Sequence, residues 1–443
     1  MLKNMRDAEG VVPYNQDRSI IQIRRELNNM SEKKENIKFI SGGIVAPKGF
    51  LASGVHCGLR KSKTKKDLAL IFSEVECTAA AVYTTNIVIG APITVTREHL
   101  KNGTARAVIC NSGIANTCNP DGIEIANEMS KITADILGIK ETEVIIASTG
   151  VIGARLPLEP IQKGLPELKK ELGSSDECGE SAAIAIMTTD TRKKEFALEF
   201  EVGDSKKARI GLIAKGSGMI EPNMATMLSF ITTDINITTE MLQAAMSEVI
   251  PDTFNMVSID GDTSTNDMVS IMASGLCGND KISEKNADYD IFKKALYVIC
   301  EKVSRYIAFD GEGATKLIEC KINNADSKLN ARKLSKAVIN SSLVKTAMFG
   351  ADANWGRILC AMGYSGVDFD PVKIDVWFES SSGKIMVCKD GGSIEVDEDS
   401  AKDILSQEIV EIIIDMKSGN ENAVAWGCDL SYDYVRINGD YRS

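Results

Sequence analysis

The sequence predicts an α/β protein, with a main body and a smaller C-terminal α/β unit starting near residue 330. Three observations lead there. From Ile37 onward, short apolar runs rich in β-branched residues alternate with amphipathic stretches of helical period. No long linker separates them, and no short-period repeat is present. The chain has 443 residues, too many for one ordinary core, so two or more domains or layers are needed.

Taken in order, residues 1–36 read as a polar, partly disordered extension with room for one short helix at Ile20, Ile21, Ile23 and Leu27. Asp7, Glu9, Asp17, Glu26, Glu32 and Glu35 argue against an organelle presequence, which would be poor in acids. Leu68–Phe72, Ala79–Tyr83, Ala107–Cys110 and Val144–Ala147 read as four strands. Gly122–Leu137 reads as a helix with Asp121 as its cap, and Leu158–Leu172 as a second. Phe196–Val202 and Arg209–Ala214 read as a strand pair. Thr239 is placed to cap a helix ending near Val249. Tyr289–Tyr306 and Asp399–Met416 read as long helices, and Ile374–Phe378 as a strand.

Composition narrows the function. Lys plus Arg total 51 and Asp plus Glu 62, a net charge of −11, and no long basic run is present, so a nucleic-acid role is disfavoured. No apolar segment is long enough to span a bilayer. Eleven cysteines, an odd number without a Cys-x-x-Cys pair, read as buried thiols in a reducing cytoplasm and not as a disulfide framework or a metal site. Only His56 and His99 are available, and both read as structural, so the chemistry calls for a base other than histidine.

The stretch Lys215–Asp234 supplies one. Gly216, Gly218, Pro222 and Asn223 make a tight turn, and the apolar run Met227–Ile231 that follows reads as a buried strand. Thr226 sits where the turn enters the strand. A bend there can set its hydroxyl against the carbonyl of Ala225, the geometry for self-cleavage. A new N-terminal Thr226 would carry a hydroxyl nucleophile and an α-amine with a reference pKa of about 7.7–8.0, suited to general-base work. By itself the stretch is also what a Gly-rich turn before a core strand looks like.

Six further blocks change that balance: Asn111–Asn116, Ser148–Gly153, Met187–Asp190, Asp310–Lys316, Asp352–Arg357 and Arg436–Ser443. Together with Lys215–Phe230, which reads KGSGMIEPNMATMLSF, they resemble the glutamate N-acetyltransferase (ornithine acetyltransferase) family of arginine biosynthesis, from about Ile37 to the last residue. The resemblance implies a four-layer α/β/β/α sandwich of the N-terminal-nucleophile type. It implies cleavage into a chain of residues 37–225, behind the extension, and a chain of 226–443, which associate as a heterotetramer of two of each. It implies acetyl transfer from N2-acetylornithine to glutamate with no cofactor. Some members of the family also take acetyl-CoA as co-substrate.

Residue by residue, Thr226 is the implied nucleophile and Ala225–Thr226 the implied cleavage site. Thr149 and Gly150, after an apolar strand, are the implied oxyanion hole; glycine lets backbone N–H groups approach a ligand and the threonine hydroxyl adds a donor. Lys215 suits an anion and Glu312 an ammonium. These two, one or both of Thr188 and Thr189, Thr226, Asn438 and Ser443 match the family's substrate contacts, with Ser443 standing where many members have Thr. Gly311–Lys316 lacks phosphate-loop spacing, and Asp260–Asn266 lacks a calcium loop's terminal Glu, so the latter reads as turns or a hydroxyl-rich wall near the site. Two other classes compete: a self-processed aminopeptidase or amidase, whose nucleophile is usually serine, and an unprocessed binding or scaffold protein.

Overall fold

The computed structural model describes residues 37–62, 64–221 and 227–440. The expected extension 1–36 lies outside these, as do Ala225, Thr226 and Ser443. The chain makes two β-sheets with helices packed on them, the α/β class that the alternation of apolar runs predicts.

The first sheet contains β1 (Ile37–Ile40), β2 (Phe50–Val55), β3 (Leu68–Tyr83), β4 (Thr104–Ile114), β5 (Val144–Val151), β6 (Lys194–Val202), β7 (Lys206–Lys215), β8 (Leu228–Thr233) and β10 (Met268–Ala273). Its order is β1-β6-β7-β8-β10-β3-β4-β5, with β2 also on β3. The second sheet runs β14-β13-β12-β15-β11-β16-β9. Its members are β9 (Val257–Ser258), β11 (Leu317–Ala325), β12 (Asp375–Ser380), β13 (Gly383–Lys389), β14 (Gly392–Ser393), β15 (Ile409–Asp415) and β16 (Glu421–Cys428). It thus takes in β9 and β11, both upstream of the boundary expected near residue 330.

Two strands expected separately, Leu68–Phe72 and Ala79–Tyr83, are the halves of β3. Its pairing with β4 slips between Phe72 and Cys77, where Ser73, Glu74 and Glu76 interrupt the apolar pattern. The first half pairs with β2 and β4, the second with β10, so one long strand joins both wings of the sheet. Helix Gly122–Leu137 has the expected bounds, but Asp121 makes no side-chain cap; its carboxylate binds Arg155 Nε at 2.7 Å instead. The helix after β8 spans Thr239–Val249, and its cap is Thr238, whose hydroxyl accepts from Met241 N. The helix expected over Asp399–Met416 stops at Leu405, and Ile409–Asp415 is β15. That segment is rich in isoleucine and lies between β11 and β12, where β-branched residues pack well and ladder bonds form on both sides.

Packing is divided among three clusters. Helix Asp176–Ile186 and the turn Gly43–Val45 cover Ile71, Val108, Ile145, Phe230 and Met272 of the first sheet. Helices Gly122–Leu137 and Leu158–Lys170 cover Leu70, Ile109 and Ile146. Helix Ala287–Phe309 packs on β6 and β7 and also reaches β11 and β16, so one continuous core serves both sheets. Nine of the cysteines are buried or half-buried thiols, whereas Cys118 and Cys360 are exposed, contrary to the expectation for all eleven. No described helix is long and apolar enough to cross a membrane.

Phe292 on the shared helix is fully buried and its ring lies 6.4 Å from that of Phe200. Phe292→Ala should cost about 3–5 kcal/mol in denaturant unfolding, the range for emptying a buried aromatic site. A loss under about 1 kcal/mol would show that the two sheets do not depend on this helix.

Candidate active site

The strands of the first sheet end at one cavity of about 270 Å³. Thr149 and Gly150 line it from the end of β5, Lys215 from the end of β7, Met227 and Leu228 from the start of β8. Ser264 to Asp267 line it from the approach to β10. Thr188, Thr189, Gly218, Glu312 and Asn438 complete the polar wall. Every expected site residue within the described residues is here, and Thr188 and Thr189 both face the cavity. Met227 follows the expected nucleophile directly. His56, which binds Lys65 O, and His99, which binds Val144 O, do not line the cavity.

The Thr149–Gly150 corner is built by close strand approach. Gly150 pairs with Gly113 in the parallel β4–β5 ladder at φ +128°, and a Cβ at 150 would lie 2.2 Å from the Gly113 carbonyl carbon. Only glycine fits. Asn266, which sequence reading left in an undifferentiated polar run, braces this corner. Its Nδ2 donates to Ala115 O at 2.6 Å and to Ser148 O at 3.0 Å. Its Oδ1 accepts from Thr117 Oγ1 at 2.5 Å and Thr265 Oγ1 at 2.6 Å. Lys215 Nζ donates to Thr149 Oγ1 at 3.4 Å. With Lys215 as donor to this oxygen, the Thr149 hydroxyl keeps its own hydrogen to donate to another acceptor.

A buried ionic cluster holds three wall segments together. Lys194, with no exposed surface, donates to Asp190 Oδ1 at 2.7 Å and Asp310 Oδ2 at 2.6 Å. Asp190 also accepts from Thr188 N at 3.0 Å and Gly216 N at 2.7 Å. Asp310 accepts from the backbone N–H groups of Thr191 and Arg192, both at 3.2 Å, and from the Thr191 hydroxyl. Burial alone would raise the Asp190 carboxyl, but Lys194, Lys215 and the Gly216 N–H outweigh it and hold it well below the usual carboxylate range.

The loop after β7 is pinned at both ends of its described part. Asp260 accepts from Met219 N at 2.6 Å and Ile220 N at 2.8 Å. Glu221 Oε1 accepts from Asn340 Nδ2 at 2.8 Å and lies 3.2 Å from Lys336 Nζ. On the far side, Met268 N donates to Met227 O at 2.9 Å. So Asp260, at the start of the run that lacks a calcium loop's terminal Glu, is a clamp for backbone amides. Among the described residues no group of His, Cys, Asp or Glu is gathered for a metal ion.

Glu312 is placed from two directions. Its backbone N–H donates to Ser217 O at 2.7 Å, and its Oε2 accepts from Asn438 Nδ2 at 2.8 Å. A Cβ at Gly218 would lie 2.3 Å from that same oxygen, so the glycine makes room for the carboxylate. Asn438 stands on the C-terminal helix Tyr432–Gly439, where Tyr434 Oη donates to Asp260 at 3.2 Å. Sequence reading did not find this helix, and its exposed Tyr432 and Val435 give little amphipathic signal.

Taken together, fold and cavity define an α/β protein with a partly open cavity that presents, among the described residues, a lysine ammonium, a carboxylate and several hydroxyl groups, a lining suited to a small polar molecule. The model of the ArgJ family matches residues 51–443. The arginine biosynthesis bifunctional protein ArgJ of Caldanaerobacter subterraneus is 49% identical over 408 residues, 92% of this chain and 100% of its own. That of Thermotoga neapolitana is 48% identical, covering 90% and 100%. A crystal structure of the protein of that name from Bacillus halodurans is 45% identical, covers 47% of this chain and 97% of its own, and superposes with a TM-score of 0.45. The chain belongs to the ArgJ family of arginine-biosynthesis enzymes.

Lys194→Met would leave two buried carboxylates without their cation and should cost about 3–5 kcal/mol at neutral pH. Because the folded-state value of Asp190 is lowered, its contribution to stability is full above the ordinary carboxylate range and drains away as pH falls below it. The gap between wild type and variant should therefore narrow in acid. Chemical denaturation at several pH values measures it; a gap that widens in acid would contradict the assignment.

Proposed function

We propose that this chain cleaves itself between Ala225 and Thr226 and moves acetyl from N2-acetylornithine to glutamate through an ester on Thr226. The observation that carries the reading is the convergence of Thr149, Gly150, Lys215 and Glu312 on one cavity whose wall includes Met227. Family membership supports it as well.

In the first half-reaction the Thr226 hydroxyl attacks the acetyl carbonyl and its proton passes to the Thr226 α-amine. The oxyanion accepts hydrogen bonds from the Thr149 hydroxyl and the backbone at Gly150. Collapse expels the ornithine α-nitrogen, which takes the proton back and leaves the acetyl ester. In the second, the glutamate α-ammonium gives a proton to the Thr226 amine and attacks the ester, regenerating the hydroxyl. Lys215 holds an anionic end of each substrate and Glu312 favours the cationic end of ornithine. Charge-assisted contacts of this type contribute about 1.5–3 kcal/mol each. Acetyl-CoA as a second donor would give direct synthesis of N-acetylglutamate, a further activity of the same ester. We place the enzyme in the cytoplasm, as a heterotetramer of two α and two β chains with no bound cofactor.

Intact mass under denaturing conditions should show two chains meeting at Ala225–Thr226, and Thr226→Ala should stay as one. Omitting glutamate should trap one acetyl per site on Thr226. An active wild type that is uncleaved and never carries acetyl would refute the covalent route. Amide hydrolysis running faster than transfer would favour the aminopeptidase alternative.

Thr149→Ala should reduce kcat by about 10²–10³ with little change in KM, since its donor acts on charge that develops in the transition state. A rise in KM at constant kcat would make Thr149 a binding residue.

A further inference from the structure

Asp267 is the one ionisable group in the described cavity wall whose chemistry the acetyl-transfer reading leaves unused. It is only 3% exposed, and its Oδ2 has no hydrogen-bond partner among the described residues. It lines the same cavity as Lys215, Thr149 and Glu312. Its backbone is fixed: the Asp267 carbonyl accepts from Thr84 N at 3.0 Å, and the next residue, Met268, pairs with Leu228 in the parallel β8–β10 ladder. One step upstream of that pair stand Asp267 and Met227, so Asp267 sits beside the first described residue after the candidate nucleophile.

An orphaned oxygen on a fully buried carboxylate is costly, whereas a neutral carboxylic acid in the same place has a proton to offer and no charge to solvate. Two ionisable groups share the described cavity wall with it, Lys215 from the end of β7 and Glu312 from the loop before β11. Burial raises the Asp267 carboxyl well above its ordinary range, and hydrogen bonds from Ser264 together with the charge of Lys215 do not cancel that effect. An ionised Asp267 would also compete with substrate for Lys215. A neutral one leaves that ammonium for an incoming anion.

From this geometry we propose that Asp267 stands in the cavity as an uncharged carboxylic acid whose Oδ2–H donates a hydrogen bond to the amino-acid substrate. The proton stays on Asp267 throughout; the group positions substrate and takes no part in the proton transfers at Thr226. The donor meets an acceptor oxygen of the substrate, and a buried carboxyl kept neutral for that purpose is a known device of active sites.

The inference rests on the acetyl-transfer reading, and the test separates the two. Wild-type transfer from acetylornithine to glutamate is measured first; its absence would overturn that reading, with Asp267 still open to the spectroscopic arm. In that arm, infrared difference spectra of the wild-type protein with and without ornithine should show a neutral-carboxyl C=O stretch that shifts on binding and is missing in Asp267→Asn. Other carboxyls that burial raises, Asp234, Glu195, Asp262 and Glu319, lie outside the cavity wall and should not respond to ligand. In the kinetic arm, Asp267→Ala should lower kcat/KM about three- to tenfold, the worth of one hydrogen bond, mostly through KM. Asp267→Asn, which keeps a neutral donor of the same shape, should restore most of that loss. If Asn is as impaired as Ala, or no ligand-sensitive band exists, Asp267 works as a carboxylate and the proposal is wrong. The band is sought in the wild type, so its absence decides the matter even if a variant fails to mature.

Discussion

The site depends on one buried interaction, the Asp190–Lys194–Asp310 cluster. Two carboxylates and one ammonium without contact to water are expensive to bury, and the geometry offsets that cost with backbone donors on both carboxylates. The partners come from different parts of the chain: backbone donors from the turn 187–192 and from the loop that starts at Gly216, and the acceptor Asp310 from the segment that leads to Glu312. The cluster therefore sets the spacing between the wall at Thr188–Thr189, the Lys215 loop and Glu312. Moving any one of them breaks a charge-assisted bond in a place where no water can replace it.

A second set of contacts acts on the loop after β7. Asp260 fixes its amides, Lys336 and Asn340 fix Glu221, and the ladder with β10 fixes Met227. Glu221 and Met227 are thus each fixed, the first by helix Lys328–Asn340 and the second by the ladder with β10. The proposed acyl transfer calls for close positioning of its reacting groups, and fixed residues on a rigid scaffold suit that requirement. The helix Ala287–Phe309 is what makes the two sheets one scaffold, since its apolar residues belong to a core common to both.

The electrostatics of the cavity follow from how differently the carboxyl groups in its wall and behind it are treated. Asp190 is surrounded by donors and cations and stays charged. Asp267 meets mostly burial and is driven toward its neutral form. Lys215 stands near both, with Thr149 Oγ1 as a hydrogen-bond partner. Among the described residues the wall thus offers one cation, one placed carboxylate and hydroxyl groups, and so presents both signs of charge to whatever binds there.

The sequence alone determined the α/β class, the bounds of helix Gly122–Leu137 and several of the residues that line the cavity, because these are written in local period, in Gly-rich turns and in blocks of matching motif. It read Ile409–Asp415 as helix, since a short apolar run has no period that separates helix from buried strand; the neighbours β11 and β12 decided. It split β3 in two, because the slip at Ser73–Glu76 looks like a turn until β4 and β10 are seen to hold both halves in one line. The roles of Lys194, Asp260, Asn266 and Asp267 were out of reach for a related reason. Each acts through partners far away in the chain, Lys194 on Asp310 and Asn266 on Ser148, and a polar residue's environment is a property of what surrounds it in space. Only the tertiary structure could say which carboxyl is paired, which is orphaned, and therefore which carries charge.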